Sequence, residues 1–367
     1  MQNDLPKGFR AGAAAAGFKK AGRDDLGLIV SDTPAVLAGM FTQNLFKAAP
    51  VLVCQEILTR SGTARAVLAN AGQANACTGD EGLANCRATQ AMVAGLTGLD
   101  ADAILPLSTG VVGAHLKMDR WLDAVPALVK SLGTRDAEGF TRSFMTTDAF
   151  PKFATREVTL TGGTVRLTVM AKGAGMICPN MATMLAVMLT DADVDRETWQ
   201  AMFTRAVDKT FNRVSVDGDT STNDTILGLA NGASGIRAEG EDAALLEKGL
   251  AQAPRVLALE REAARLDGQL GEMTATRARA VGTGHGGSAV RRAALDLRQI
   301  ELRGHGEAGG HDHHAVVGQG VPERGDGGFL AAQRAGGGED AAHLAGQRRQ
   351  RRARTNPQPD AGGDGRF

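Results

Sequence analysis

Apolar residues along the first two thirds of this chain follow two spacings. Leu26-Gly27-Leu28-Ile29-Val30 and Ala66-Val67-Leu68-Ala69-Asn70 are short, nearly unbroken apolar runs, the pattern of buried strands. Over residues 158–169 apolar positions alternate with threonine around Gly162-Gly163, which predicts a hairpin. Residues 84–94 carry alanine and methionine at helical spacing. Residues 120–132 do the same, with Trp121, Leu122, Val125, Leu128 and Val129 on one face. A further helix is predicted over 198–207. The acidic Asp191, Asp193, Asp195 and Glu197 precede it, near the end where the helix macrodipole favours anions. These elements make a mixed α/β (α+β) fold.

Beyond residue 252 the pattern changes. From 253 to 367 there are 17 Arg and no Lys, and six of the seven histidines fall there. Segments 304–314 and 347–354 lack the apolar surface for a packed core. One reading is a disordered basic tail that binds nucleic acid through phosphates. The other is out-of-frame translation, since a GC-rich frame shifted by one yields Arg, Gly, Ala and His. The abrupt switch and the loss of lysine favour the second. In that context His311, His313 and His314 carry little weight as metal ligands. The chain thus divides into 1–182, 183–252 and an aberrant 253–367.

Composition narrows the function classes. The 367 residues suffice for two or three domains or one large one. The formal net charge is zero, so nothing global points to nucleic acid or an anionic membrane. Tyrosine is absent and aromatics are few, so the core must be aliphatic and alanine-rich. Cys54, Cys77, Cys86 and Cys178 form no CxxC pair and no zinc spacing, and read as free thiols of a reducing cytoplasm. The first residues show no basic and apolar regions of a signal peptide, and no run approaches the roughly 18 apolar residues of a membrane span.

The segment 172–185, Lys-Gly-Ala-Gly-Met-Ile-Cys-Pro-Asn-Met-Ala-Thr-Met-Leu, is the richest in candidate chemistry. A threonine hydroxyl alone is a poor nucleophile. If the Ala182–Thr183 bond were cut, Thr183 would carry its own base, an α-amine with pKa near roughly 7.7–8.0. Ser108-Thr109-Gly110-Val111-Val112-Gly113 suits an oxyanion hole or a plain strand-turn. Met145-Thr146-Thr147-Asp148 is a polar cluster or a helix cap. Residues 212–225 are dense in Asp, Asn, Ser and Thr. Counted from Asp217, the sixth and twelfth positions of a calcium loop would be Thr222 and Gly228 rather than glycine and glutamate. A hydrogen-bonded polar loop under a catalytic site fits better. Gly173-Ala174-Gly175 has neither the Walker nor the G-x-G-x-x-G spacing. Cys178 and His115, the only histidine before residue 253, have nothing that ties them into a pair. No metal site is expected.

Taken together, Pro6–Arg10, the run Asn70-Ala71-Gly72-Gln73-Ala74-Asn75-Ala76-Cys77-Thr78-Gly79, Ser108–Gly113, Thr146-Thr147-Asp148, and the 172–185 and 212–225 blocks resemble the ornithine acetyltransferase family of arginine biosynthesis. The order and rough spacing match from residue 5 to about 250. The resemblance implies a mixed α and β fold in which the nucleophile begins a strand. It implies self-cleavage between Ala182 and Thr183, with both pieces kept in an α2β2 assembly. It implies that Thr183 takes acetyl from N2-acetylornithine and passes it to glutamate, with acetyl-CoA as a further donor in some members and no resident cofactor. By the same matching, Thr109 and Gly110 stabilise the oxyanion, and Thr146, Lys172 and Thr183 bind substrate. The family continues with an acidic Gly-Glu-Gly-Ala-Thr-Lys type segment and a C-terminal Asn/Thr pair, and neither is found after residue 252. Competing readings are a hydrolase with an N-terminal nucleophile, an inactive frameshifted family member, and a nucleic-acid-binding protein acting through its tail.

Overall fold

The long strand on which the fold turns is only partly visible as an apolar run. A computed structural model describes residues 4–19, 22–175, 184–214, 217 and 219–253. In it β1 (Phe9–Ala14) is followed by β2 (Leu26–Phe41), whose first residues are the predicted run. Polar Ser31-Asp32-Thr33 and Pro34 interrupt the hydrophobic pattern, yet the strand continues. The register slips between Val30 and Ala35, where a proline without an N–H is tolerated. The order then runs α1 (Ala49–Arg60), β3 (Thr63–Gln73), α2 (Gly79–Thr97), β4 (Ile104–Val111), α3 (Met118–Lys130), α4 (Ala137–Phe144), β5 (Lys152–Leu160), β6 (Gly163–Lys172), β7 (Leu185–Thr190), α5 (Arg196–Asp208) and β8 (Thr225–Ala230). A last helical stretch covers 240–253. The hairpin β5–β6 turns through Thr161-Gly162, with Leu160 opposite Gly163.

The strands form one mixed sheet in the order β4-β3-β2-β8-β7-β6-β5. The pairs β3–β4 and β7–β8 are parallel and the others antiparallel. One edge of β2 is shared in tandem. Its first half pairs with β1 and its second half with β8. Side chains alternate across the strands, and both faces are buried. Ile29, Val67, Leu107, Val187 and Leu227 pack with α1 and α4. Leu28, Leu68 and Ile104 face the other way onto α2 and α3, and Val169, Met188 and Ile226 onto α5 and the 240–253 helix. Burial on both sides is why the strands read as continuous apolar runs rather than as clean alternation.

Three sequence expectations change. In α3, Trp121, Val125 and Leu128 are buried, but Leu122 is 63% exposed and off the packed face. That helix also contains Pro126, which costs about 3 kcal/mol in a helix interior; burying three large side chains at about 1.5–3 kcal/mol each outweighs it. Only Asp195 and Glu197 serve the start of α5, where Asp195 accepts from Thr198 N–H at 2.9 Å. Asp191 instead accepts from the amides of Lys7 and Arg166, and Asp193 pairs with Arg237. The Thr146–Asp148 cluster is not an N-cap, because it follows the end of α4 and leads into β5.

Candidate active site

The site lies at the rim shared by β3, β4 and β6. The parallel pair β3–β4 brings Gly72 opposite Gly110. Gly110 has φ +134°, and a Cβ there would sit 2.2 Å from the carbonyl carbon of Gly72. Only glycine allows this approach. The amide side chains of the 70–79 run donate to backbone: Asn70 Nδ2 to Gln73 O, Gln73 Nε2 to His115 O, and Asn75 Nδ2 to Gly82 O. From the other side, Asn223, just before β8, forks its amide to Ala74 O (2.6 Å) and Ser108 O (3.0 Å). The turn carrying Thr109 and Gly110 is therefore fixed by both neighbours.

Lys172, the last residue of β6, reaches this turn. Its Nζ donates to Thr109 Oγ1 at 2.8 Å, and the residue is 6% exposed. Five strand intervals separate β4 from β6 in the sheet. At about 4.8 Å each they would hold the strands roughly 24 Å apart if the sheet were flat. The contact requires a sheet strongly curled about β2. Because Thr109 Oγ1 accepts from an ammonium, its own proton is left to donate elsewhere.

The Thr146 turn closes the third side. Asp148 accepts from Thr146 N–H (3.2 Å), Gly173 N–H (2.7 Å) and Lys152 Nζ (2.5 Å). Lys19 Nζ donates to the carbonyls of Met145 (2.8 Å) and Thr146 (3.1 Å). Its neighbour Phe18 stacks at 5.7 Å on Trp121. The turns so held enclose an open cleft of about 710 Å³, with Phe18, Lys19, Gly72, Thr109, Gly110, Thr146, Thr147, Lys172, Gly175, Asp217, Ser221 and Asn223 on its walls.

The charges are tuned by burial and by one another. Burial holds Lys172 below the ordinary lysine range; Lys152 and Lys19 add to this, while Asp148 and Asp224 act against it. Lys19 is also lowered, by burial first and then by Arg23. Burial alone would raise the Asp148 carboxyl, but the bonds from Lys152 and Gly173 and the charges of Lys152 and Lys172 outweigh it and hold it below its usual value. The cleft thus presents Lys172 and Lys19, with Asp217 also on its wall and the ionised Asp148 behind it; the two lysines suit an anionic substrate group and a developing oxyanion.

The structure brings the predicted Thr109, Gly110, Thr146 and Lys172 into this one cleft. Ala182 and Thr183, like Cys178 and residues 254–367, lie outside the described residues. Gly173 spends its N–H on Asp148 rather than on a phosphate. His115 stands beside Glu81 on the surface. Cys54 and Cys86 are buried, and burial pushes the Cys86 thiol up to about 12. Among the described residues no group of three or more His, Cys, Asp or Glu could hold a metal, and no helix is long and apolar enough to cross a membrane. Sequence reasoning did not single out Lys19, whose partners lie more than a hundred residues away, or Lys152, which pairs with Asp148 four residues before it; Asn223 lies in the 212–225 block read as a polar loop under a catalytic site.

A family model described as the ArgJ family matches residues 10–265. The arginine biosynthesis bifunctional protein ArgJ of Nitratidesulfovibrio vulgaris is 61% identical over 245 residues, which are 67% of this chain and 62% of that protein. The protein of the same name in Geobacter sulfurreducens is 46% identical over 265 residues, 70% of this chain and 67% of its own length. Among solved structures, that of arginine biosynthesis bifunctional protein argJ from Bacillus halodurans is 34% identical, covers 48% of this chain and 92% of that one, and has a TM-score of 0.44. The chain spans less than two thirds of the length of the first of these relatives.

Proposed function

The chain belongs to the ArgJ family, and from that premise we propose that it is an acetyltransferase of arginine biosynthesis, moving acetyl from N2-acetylornithine to glutamate through an acetyl-Thr183 intermediate. Acetyl-CoA serves as a second acetyl donor for glutamate. Thr183 is freed by self-cleavage of the Ala182–Thr183 bond, and the two pieces remain together as an α2β2 assembly in the cytoplasm. In the cleavage step the Thr183 hydroxyl attacks the Ala182 carbonyl, the acyl group shifts from N to O, and water hydrolyses the ester. The freed amine then takes the proton from the hydroxyl as it attacks the acetyl carbonyl, and ornithine leaves. Glutamate's amine reverses the sequence, so the kinetics are ping-pong.

The observation that carries this reading is the hydrogen bond from Lys172 to Thr109. It turns the Thr109 hydroxyl into a polarised donor at the rim where an oxyanion would form, with the freedom of Gly110 beside it. One such donor is typically worth about 3 kcal/mol in the transition state. Thr183 stands two residues before Leu185, which pairs with Lys172 across β6–β7. Two residues of chain span at most about 7 Å, which supports reading Thr183 as the nucleophile that works with Lys172. A lysine there also lowers the Thr183 amine by like-charge repulsion and keeps it in the base form.

The direct test is to mix the protein with N2-acetylornithine in the absence of glutamate. A fragment starting at Thr183 and heavier by one acetyl group, cleared when glutamate is added, is expected. Acetylornithine hydrolysed to acetate at the same rate with and without glutamate would instead make the protein an N-terminal-nucleophile hydrolase. Residues 253–367 take no part in this proposal; the family match runs on to residue 265, and we read the stretch beyond it as out-of-frame translation. Resequencing codons 250–270 tests that, since restoring one frame should recover the Gly-Glu-Gly-Ala-Thr-Lys type segment.

A further inference from the structure

Asp148 takes no part in the chemistry above, yet both its carboxylate oxygens are engaged beside the cleft. Oδ1 accepts from the Gly173 amide at 2.7 Å and from Lys152 Nζ at 2.5 Å, and Oδ2 accepts from the Thr146 amide at 3.2 Å. Gly173 is the residue after Lys172, and Thr146 belongs to the turn between α4 and β5. The turn and the residues after Lys172 lie just beyond the last β5–β6 pair, Lys152 opposite Ala171, and are tied there to the two oxygens of one carboxylate. The turn is gripped from its carbonyl side as well, by Lys19 on Met145 and Thr146. The loop bearing Lys19 is itself fixed by buried Asp25, which accepts from the Ala16 and Lys19 amides.

We propose that Asp148 is a positioning residue that couples the Thr146 turn to the end of β6, so that one carboxylate sets the backbone at Thr146 and the backbone beside Lys172 in a fixed relation. The coupling rests on geometry; its consequence for substrate rests on the proposed function. Both oxygens face donors, which makes the carboxylate irreplaceable by an amide. Whichever way an asparagine is turned, its NH2 meets either the Thr146 N–H or the Gly173 N–H and Lys152. Lys152 neutralises Asp148 but does not line the cleft.

The test compares Asp148→Asn with Lys152→Met in the full chain, using hydrogen exchange over residues 145–148 and 172–175 alongside steady-state kinetics. Asp148→Asn should raise exchange in both segments together by about tenfold or more and raise KM for the amino-acid substrate more than it lowers kcat. Lys152→Met strips a buried carboxylate of its ion partner but leaves both backbone donors on Asp148, so it should raise exchange in the two segments and KM far less than Asp148→Asn does. Should Asp148→Asn alone fail to fold, the double variant Asp148→Asn/Lys152→Met removes the stranded cation and must still show the paired rise in exchange. Exchange rising in one segment only, or Lys152→Met reproducing the full effect, overturns the proposal. A wild-type protein without transferase activity overturns the proposed function instead, and the exchange comparison then decides the coupling by itself.

Discussion

Lys172 Nζ and Thr109 Oγ1 meet at 2.8 Å although their strands stand at distant places in the sheet. With the Asn223 fork, the bond joins the two halves of the curled sheet at the cleft, and it links a cation to the hydroxyl proposed to stabilise the oxyanion. Removing that hydroxyl without changing the side chain's shape, as in Thr109→Val, should lower kcat by about 10²-fold or more with KM little changed. It also strips a buried ammonium of an acceptor, at about 1–3 kcal/mol of stability. Steady-state kinetics and urea unfolding check the two effects separately.

The pH dependence follows from the same lysine. Burial first, then Lys152 and Lys19, hold Lys172 below the ordinary 10.5, while Asp148 and Asp224 pull it upward. Activity that needs the ammonium on Thr109 should therefore fall on the alkaline side with a midpoint below 10.5. Asp148→Asn should move that limb lower still. A limb unmoved by the substitution would separate Asp148 from Lys172.

Stability on the acid side should depend on Asp148. Its folded value is held below 3.8, so the folded state binds its proton less readily than the unfolded chain. The stabilisation is therefore fully present above 3.8 and is lost as pH falls through the depressed value. Urea unfolding at about pH 6 and about pH 3 should show a smaller acid loss for Asp148→Asn than for the parent, provided the variant folds.

Two glycine substitutions should separate structure from site. Gly110→Ala drives a methyl to 2.2 Å from the Gly72 backbone at φ +134°, with nothing flexible to yield; about 3 kcal/mol or more of stability should be lost, together with activity. Gly228→Ala meets the Phe203 ring at 2.5 Å under α5, away from the cleft. It should cost about 1–3 kcal/mol while leaving KM unchanged. Thermal unfolding beside kinetics distinguishes them.

Asn223→Ala removes the fork that ties Ala74 O to Ser108 O. Leaving two buried carbonyls without this donor should cost about 1–3 kcal/mol and lower kcat more than it raises KM. A variant with parental stability and kcat would show that the Thr109–Gly110 turn holds its own shape.

The sequence disclosed those elements whose cause is local. The apolar runs at 26–30 and 66–70 became β2 and β3, and the Gly162-Gly163 alternation became β5–β6. It did not disclose the second half of β2, because Ser31–Pro34 breaks the pattern and pairing with β8, and with β3 at Ala35 and Val36, keeps the strand extended. The charged line of Asp191, Asp193 and Asp195 looked uniform, yet each residue finds a different partner. At the site, Thr109, Gly110, Thr146 and Lys172 came from the family resemblance, whose motifs are contiguous in the chain, and all four line one cleft. Lys19 was not legible: its role comes from carbonyls more than a hundred residues away, and no spacing encodes that.

The measurement that bears most directly on the central claim is the intact mass of the purified protein beside a Thr183→Ala control. The account predicts two masses that sum to the precursor plus one water, with the second fragment beginning at Thr183, and a single uncut mass for the control. A parent protein that stays whole, or that is cut at a bond the control also loses, contradicts it.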